Sequence, residues 1–474
     1  MAALCLLAGT AAAADFRVNI ATDVGDADPA DGRCDVDTVQ PGDQCSLRAA
    51  AEQIQALPAD EHRVRVDALP AGVRVRVDQG TIRLSPGTTL LGNPARLVTL
   101  VAAMPARADL FRIDGQGEVS LRGFDIRLSG DGGAALGIDQ SGQVADLADL
   151  RIVPGSTDAP ALRIQAGRVD CQRCRLVDGA STAIEISGGE LRLLDSLVAD
   201  NRSDEPGGGL RIDAGRVWLQ RSEVSRNRSE ADGGGIRQRG GRLRLVNSLL
   251  RGNLAAGGGG GLAISDGTAE LQNSSVVGNV ANAGARSRDG GGGVLSSGNG
   301  LVQLRNSIVT SNRALAAASG DECLGDGIVT EAANLIGDDD FCSPHSVEED
   351  APLRSSIPLV SALRELPWGG VRFLELPTGL HPAIDAGVAH CLADLDLDDR
   401  TDDQPLQVDL RGLPRPPPDA DSSCDLGAIE QVCDGACDGG AIANSHADAA
   451  MTATAPPPPQ TPKRASTDAR AIQP

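Results

Sequence analysis

The sequence predicts an all-β fold: a right-handed parallel β-helix (solenoid) with a short N-terminal capping helix and an irregular C-terminal cap. Three observations lead there. A Gly-to-Ser unit recurs at a near-constant spacing, which is the mark of a repeat architecture. Within each unit apolar and polar residues alternate over runs too short for a helix. Finally, 58 Gly, five Phe, two Trp and no Tyr among 474 residues leave the core to Val, Leu, Ile and Ala, which suits a thin stacked interior.

The repeat is explicit in Gly189-Glu-Leu-Arg-Leu-Leu-Asp-Ser196, Gly215-Arg-Val-Trp-Leu-Gln-Arg-Ser222, Gly241-Arg-Leu-Arg-Leu-Val-Asn-Ser248, Gly267-Thr-Ala-Glu-Leu-Gln-Asn-Ser274 and Gly300-Leu-Val-Gln-Leu-Arg-Asn-Ser307. Five residues after each Ser stands an Asn: Asn201, Asn227, Asn253, Asn279 and Asn312. The first four are 26 residues apart and the last 33, so one coil carries a seven-residue insertion. Pairs such as Val217/Leu219 and Leu243/Leu245 have the period of a half-buried strand, and Gly clusters at 207–209, 233–235, 257–261 and 290–293 punctuate each repeat. Such a unit cannot bury its apolar face alone, but stacked on its neighbours it can. At roughly 4.8 Å per coil, about eleven coils over 61–340 span on the order of 50 Å. The Asn is expected at a tight left-handed turn, with its amides bonded up and down the stack. Asn201, Asn227 and Asn273 also match the N-glycosylation pattern, although turn geometry already accounts for the first two. Gly167-Arg-Val-Asp-Cys-Gln-Arg-Cys174 extends the pattern upstream and puts Cys174 in the Ser position.

Taken in order, residues 1–14 read as a secretory signal, with Ala12 and Ala14 at small-residue cleavage positions, although no basic n-region precedes them and a short buried apolar segment is the alternative. Residues 15–60 read as an N-terminal cap. Within them Leu47, Ala50, Ile54 and Leu57 have helical spacing behind Ser46 as N-cap, so this helix plugs the first coil, whose sheet edges would otherwise be open. Residues 341–430 are a C-terminal cap, and 431–474 are a Pro/Ala-rich tail that reads as disordered.

A formal charge of −22 excludes a nucleic-acid partner, since phosphate needs a positive field. No apolar stretch after the signal is long enough for a transmembrane span. Ten cysteines follow the signal: Cys34, Cys45, Cys171, Cys174, Cys323, Cys342, Cys391, Cys424, Cys433 and Cys437. They fall as five close neighbours along the chain, which reads as local disulfides formed in an oxidising compartment. Zinc is the rival at Cys171-Gln-Arg-Cys174, but no second CxxC or nearby His completes four ligands.

Asp31-Gly-Arg-Cys-Asp35 followed by Cys45-Ser-Leu-Arg48 resembles the N-terminal CSLREA domain of secreted bacterial proteins, departing from it at Ala49 and Ala51, where the family has Glu and Ile. In the family form the Glu completes a capping box, and Ala49 gives up half of it. A Cys34–Cys45 disulfide closing a loop of about ten residues is expected to offset this loss by roughly 2–3 kcal/mol. Pro382-Ala-Ile-Asp-Ala-Gly387, Asp409-Leu-Arg-Gly-Leu-Pro-Arg-Pro416 and Cys424-Asp-Leu-Gly-Ala-Ile-Glu430 together resemble the choice-of-anchor Q domain. The coils between resemble those of pectate-lyase-like and polymorphic outer-membrane proteins. These likenesses imply secretion and display at a bacterial cell surface, and no defined reaction.

For chemistry, Asp195, Glu223, Asp232 and Asp289 stand near coil turns without a distinguishing motif, and the coil arginines read as a solvated face. His62, His345, His381, His390 and His446 lie outside the regular coils. The run from Asp394 to Asp403 offers Asp394, Asp396 and Asp398 as Ca²⁺ ligands, although it lacks the Gly and terminal Glu of an EF-hand; a solvated acidic loop is the plainer alternative. The functional expectation is a secreted, non-enzymatic, adhesin-like binding protein with an extracellular glycan or a surface protein as partner. The alternative is a polysaccharide lyase or glycosidase using carboxylates on one coil face.

Overall fold

The computed structural model describes residues 13–337, apart from 41, 43, 58–60, 67–68, 71, 106, 131, 156–158, 285–289, 316–319 and 331–332. Beyond 337 it describes 345–346, 353–354, 363–365, 372–374, 383, 392–393, 404–405, 408–411, 413, 415 and 425–428. The chain divides into two units, Met1–Val432 and Cys433–Pro474, and every described residue belongs to the first.

That first unit is a parallel β-helix. Sheet A has 13 strands from Asp15–Arg17 to His345–Ser346, sheet B 12 strands from Arg74–Val77 to Leu353–Arg354, and sheet C 10 strands from Ile82–Leu84 to Cys323–Leu324. Ten turns therefore contribute a strand to all three sheets. A fourth sheet, D, holds five short strands from Arg202–Ser203 to Arg313–Ala314. Strand neighbours in these sheets are parallel and in register: Leu219 faces Leu245, and Leu245 faces Leu271, all three buried.

One coil shows why the sequence turns as it does. Glu190–Leu194 lies in sheet A, Leu197–Ala199 in B, Arg202–Ser203 in D and Leu210–Ile212 in C. Each bend is made by a residue with positive φ: Asp195 (52°), Asp200 (59°), Gly207 (84°) and Gly215 (89°). The repeated Asn does not occupy the left-handed position expected of it. That position falls to the residue before it, namely Asp200, Arg226, Gly252, Gly278 and Ser311. The bend made there leaves the Asn itself to point into the column.

Inside, the Asn side chains form a continuous ladder. Asn201 Nδ2 donates to Asn227 Oδ1 (2.9 Å), Asn227 Nδ2 to Asn253 Oδ1 (3.1 Å), Asn253 Nδ2 to Asn279 Oδ1 (2.9 Å) and Asn279 Nδ2 to Asn312 Oδ1 (2.9 Å). Each Oδ1 also accepts the backbone N–H of the Asn one coil earlier. Glu322 Oε2 closes the ladder by accepting both from Asn312 Nδ2 and from its N–H. A second ladder runs through the Ser position: Cys174 N–H donates to Ser196 Oγ (3.0 Å), and the relation repeats through Ser222, Ser248, Ser274 and Ser307 to Asn334 Oδ1. Cys174 thus stands in the Ser row, as the sequence alignment places it. Asn201, Asn227 and Asn273 are fully buried, so none of the three sequons is open to a glycan in the folded chain.

The seven-residue insertion is divided. The Asn-to-Gly step lengthens from 253–259 to 279–291, six extra residues, and the following turn, 293–300 against 261–267, adds one. The coil arginines do not form a bare solvated face. Many pair between coils, as in Arg173–Asp149 (2.6 Å) and Arg221–Asp195 (2.7 Å). Singly such surface pairs contribute little.

At the N-terminal end, helix α1 (Leu47–Ala56) is capped by Ser46, whose Oγ accepts the Ala49 N–H (2.9 Å). Leu47, Ala50 and Ile54 are buried in the core. Arg48 turns inward to a buried pair with Asp23 (2.7 Å) and donates to the carbonyls of Gly80 and Thr81. Asp23 Oδ2 also accepts the Asp78 and Gln79 N–H groups, joining the cap to the first coil. Ala14 enters sheet A as well: its N–H donates to His62 Nδ1 and its carbonyl accepts the Arg63 N–H. Cys34 and Cys45 stand at disulfide distance (2.06 Å), as do Cys171 and Cys174 (2.01 Å). Cys323 is disulfide-bonded. Cys342, Cys391, Cys424, Cys433 and Cys437 lie outside the described residues.

The described residues of the C-terminal motifs pack on the flank of sheet B. Leu410 and Ala428 meet the outward side chains Leu197, Ala199 and Leu249, while Ala383 and Leu426 meet Val277, Ile308 and Leu335. Hydrogen bonds fix this strap: Gly427 N–H to Asn306 O, Ala428 N–H to Ser275 Oγ, and Arg415 Nη2 to Asn247 Oδ1. From Leu197–Ala199 onward sheet B is therefore covered on both faces, which fits its strands of consecutive apolar residues, whereas Arg74, Arg76 and Arg127 are exposed on its early strands. Among the described residues no helix is long and apolar enough to cross a membrane.

Candidate functional site

With the interior filled and the later strands of sheet B strapped, the outer face of sheet A is the one that carries an open groove among the described residues. Its outward central row runs in register through Arg63, Thr89, Ser120 and Asp146 in the early coils, then Asp170, Arg192, Trp218, Arg244 and Glu270. The two halves of this row differ.

The later half is closed. The Arg192 guanidinium lies 5.7 Å from the Trp218 ring centroid, and Arg244 pairs with Glu270 (2.7 Å). Trp218 is only 8% exposed. Its ring is therefore packed between side chains and is no open platform for a sugar.

The earlier half is an open groove of about 460 Å³. Its polar lining is Glu61, Arg63, Thr89, Glu118, Ser120, Arg122 and Asp146, with Leu91 as an apolar patch. These side chains come from four successive sheet A strands, His62–Arg65, Thr88–Leu91, Gly117–Arg122 and Gln143–Ala148, and from Glu61 just before the first. Strand alternation places them: Val64, Leu90, Leu121 and Leu147 fill the core, so their neighbours must face outward. Arg122 is committed, its Nη2 to Asp146 Oδ2 (2.5 Å) and its Nε to Ser120 Oγ (3.1 Å). Arg63 and Glu118 are exposed and make no ion pair among the described residues.

The carboxylates singled out from sequence go elsewhere. Asp195 sits at a left-handed corner held by Arg221, and Asp232 Oδ1 accepts the Gly258 N–H (2.9 Å). Glu223 lies fully buried on the outer face of sheet B, in register between Leu197 and Leu249. Asp289, Asp394, Asp396 and Asp398 lie outside the described residues, so the Ca²⁺ ligand set is among neither the contacts nor the sites seen here. Among the described residues no group of three or more His, Cys, Asp or Glu is placed to hold a metal ion. Sequence reasoning passed over Glu61, Glu118 and Asp146. The signal that could have found them was strand parity in the irregular early coils, where the regular markers are missing.

Burial pushes the Glu223 carboxyl up to about 7, against the smaller opposing effects of a Ser225 hydrogen bond and the Arg226 and Arg251 charges. Asp26, in the N-terminal cap, is raised to about 6 by burial, with the like charges of Asp35, Asp31 and Glu52 adding to it. A carboxyl raised in the folded state binds its proton more tightly there than in the unfolded chain. Its contribution is full below the unfolded value near 4.5 and fades as pH climbs through the folded one. Stability measured by denaturation should therefore fall between about pH 5 and 7.5. Glu223→Gln should remove most of that slope, on the order of 3 kcal/mol across the range.

No protein-family model matches the chain, and a search of curated proteins returns no match.

Proposed function

We propose that the chain is an extracellular, surface-displayed binding protein that holds a glycan in the groove on the outer face of sheet A. The observation that carries this reading is the pairing pattern: many coil arginines are tied to carboxylates, while Arg63 and Glu118 stand exposed in a concavity with no side-chain ion pair among the described residues. Arginine forks and carboxylates beside hydroxyls suit the vicinal hydroxyls of sugars. A protein partner is less well served. The exposed large apolar side chains among the described residues are Val24, Val39 and Leu413, none in the groove, whereas protein interfaces centre on buried apolar anchors. Secretion and display rest on the CSLREA-like and choice-of-anchor Q-like segments, and cysteines at disulfide distance fit an oxidising compartment.

A glycan array followed by titration tests the reading. Binding should weaken about tenfold or more in an Arg63→Ala/Glu118→Ala double variant whose melting temperature is unchanged. Binding that ignores the double variant would place the ligand elsewhere and remove the proposal. A second reading, a carbohydrate-active enzyme, is favoured by one observation: Glu118 and Asp146 share the same groove, as paired carboxylates must in glycoside hydrolysis. New reducing ends or unsaturated products from any bound glycan would select it.

A further inference from the structure

Resting on that reading, we infer that the groove takes a non-anionic sugar chain, neutral or amino-bearing, laid along the column axis, and rejects polyuronates and sulfated glycans. Direction comes from the strands. The lining residues stack on four successive strands of sheet A, so the groove runs parallel to the axis for about 14 Å, with one set of polar side chains presented per coil. A ligand that crossed the face at right angles would meet one or two of these sets; one lying along the axis meets all four.

Selectivity comes from charge. Three carboxylates, Glu61, Glu118 and Asp146, share the groove with two guanidinium groups, Arg63 and Arg122. Arg122 is already spent on Asp146 and Ser120, so a second anion there would have to displace a carboxylate at hydrogen-bonding distance. Arg63 is then the one cation in the groove without an ion pair among the described residues, and Glu118 adds an exposed carboxylate to the same lining. A chain bearing a negative charge on each sugar would put several charges against this lining and against a protein of formal charge −22. A neutral chain meets only donors and acceptors: the Arg63 fork, the Glu118 carboxylate and the Thr89 hydroxyl, with Leu91 beneath a sugar's C–H face. An amino sugar gains a further contact with Glu118.

The test is calorimetric titration of the full chain with oligosaccharides of one length in three charge classes. The probes are neutral (cello-, manno- and N-acetylchito-oligosaccharides), amino-bearing (deacetylated chito-oligosaccharide) and anionic (oligogalacturonate). At least one neutral or amino-bearing chain should bind about tenfold or more tightly than the anionic one. Arg63→Ala should weaken that chain severalfold, and Glu118→Gln should weaken the amino-bearing chain more than the neutral one. If oligogalacturonate binds most tightly and Arg63→Ala abolishes it, the charge inference is overturned while the groove remains the binding site. If no chain binds, or binding ignores both substitutions, the inference and the function it rests on fall together.

Discussion

Asn253→Ala is expected to destabilise the chain by about 3–5 kcal/mol, far beyond the usual effect of one polar-to-alanine change. Asn253 Oδ1 accepts two buried donors from the coil before it, the Asn227 N–H (3.0 Å) and Nδ2 (3.1 Å), and its own Nδ2 donates to Asn279 Oδ1 (2.9 Å) and to Val224 O (3.0 Å). Alanine takes the acceptor away from those donors at a site where Asn227 and Asn253 are both fully buried. Leaving a buried group unsatisfied costs its desolvation in full, whereas making the bond in the first place yields much less. Asn253→Asp should also be costly, since it removes the Nδ2 donor and adds a buried charge. Asn299→Ala, at an exposed turn, is the control and should stay within about 0.5 kcal/mol. The readout is the denaturation midpoint with its slope. A loss below 1 kcal/mol for Asn253→Ala would show that the ladder does not hold the coils together.

Asp23→Ala is expected to cost about 3–5 kcal/mol, concentrated in the N-terminal cap. The aspartate joins four donors: Arg48 Nε (2.7 Å), Arg48 Nη2 (3.1 Å) and the backbone N–H groups of Asp78 (2.7 Å) and Gln79 (2.6 Å). Without it a guanidinium is stranded in a site where both partners are less than a tenth exposed. Helix α1 should then exchange its amide hydrogens much faster while the coils around Leu245 stay protected. Asp23→Asn, which keeps an acceptor but not the charge, should fall between the two. Uniform loss of protection along the chain would contradict this local picture.

The fold was largely legible because it is written in a repeating unit. The Gly-to-Ser spacing located the sheet A strands, the Asn spacing located amides bonded from coil to coil, and Leu47, Ala50 and Ile54 located the capping helix. What misled was local conformation. Asn favours the left-handed region, so the repeated Asn was expected at the bend, whereas the bend uses whichever residue precedes it, including Arg226 and Ser311. The strap could have been foreseen. Leu197-Val198-Ala199, Leu249-Leu250 and Ile308-Val309 are runs of consecutive apolar residues, and a strand with one face in water would alternate. The groove was harder to see. Glu61, Glu118 and Asp146 are far apart along the chain and become neighbours only through the register of early coils whose lengths vary.

Among the described residues one internal ladder runs as far as Glu322 and the other as far as Asn334, a dozen residues apart. Each of these side chains is chemically unlike those of the row it joins. Between Ser196 and Ser307, by contrast, every turn offers its neighbours nearly the same donors and acceptors. A 26-residue turn added or removed in that interval would keep both ladders in register but would shift the strap's anchors at Asn247, Ser275 and Asn306 relative to one another. The ladders alone would let the column grow in steps of roughly 4.8 Å downstream of the groove, and the strap is what holds it to one count of graduations.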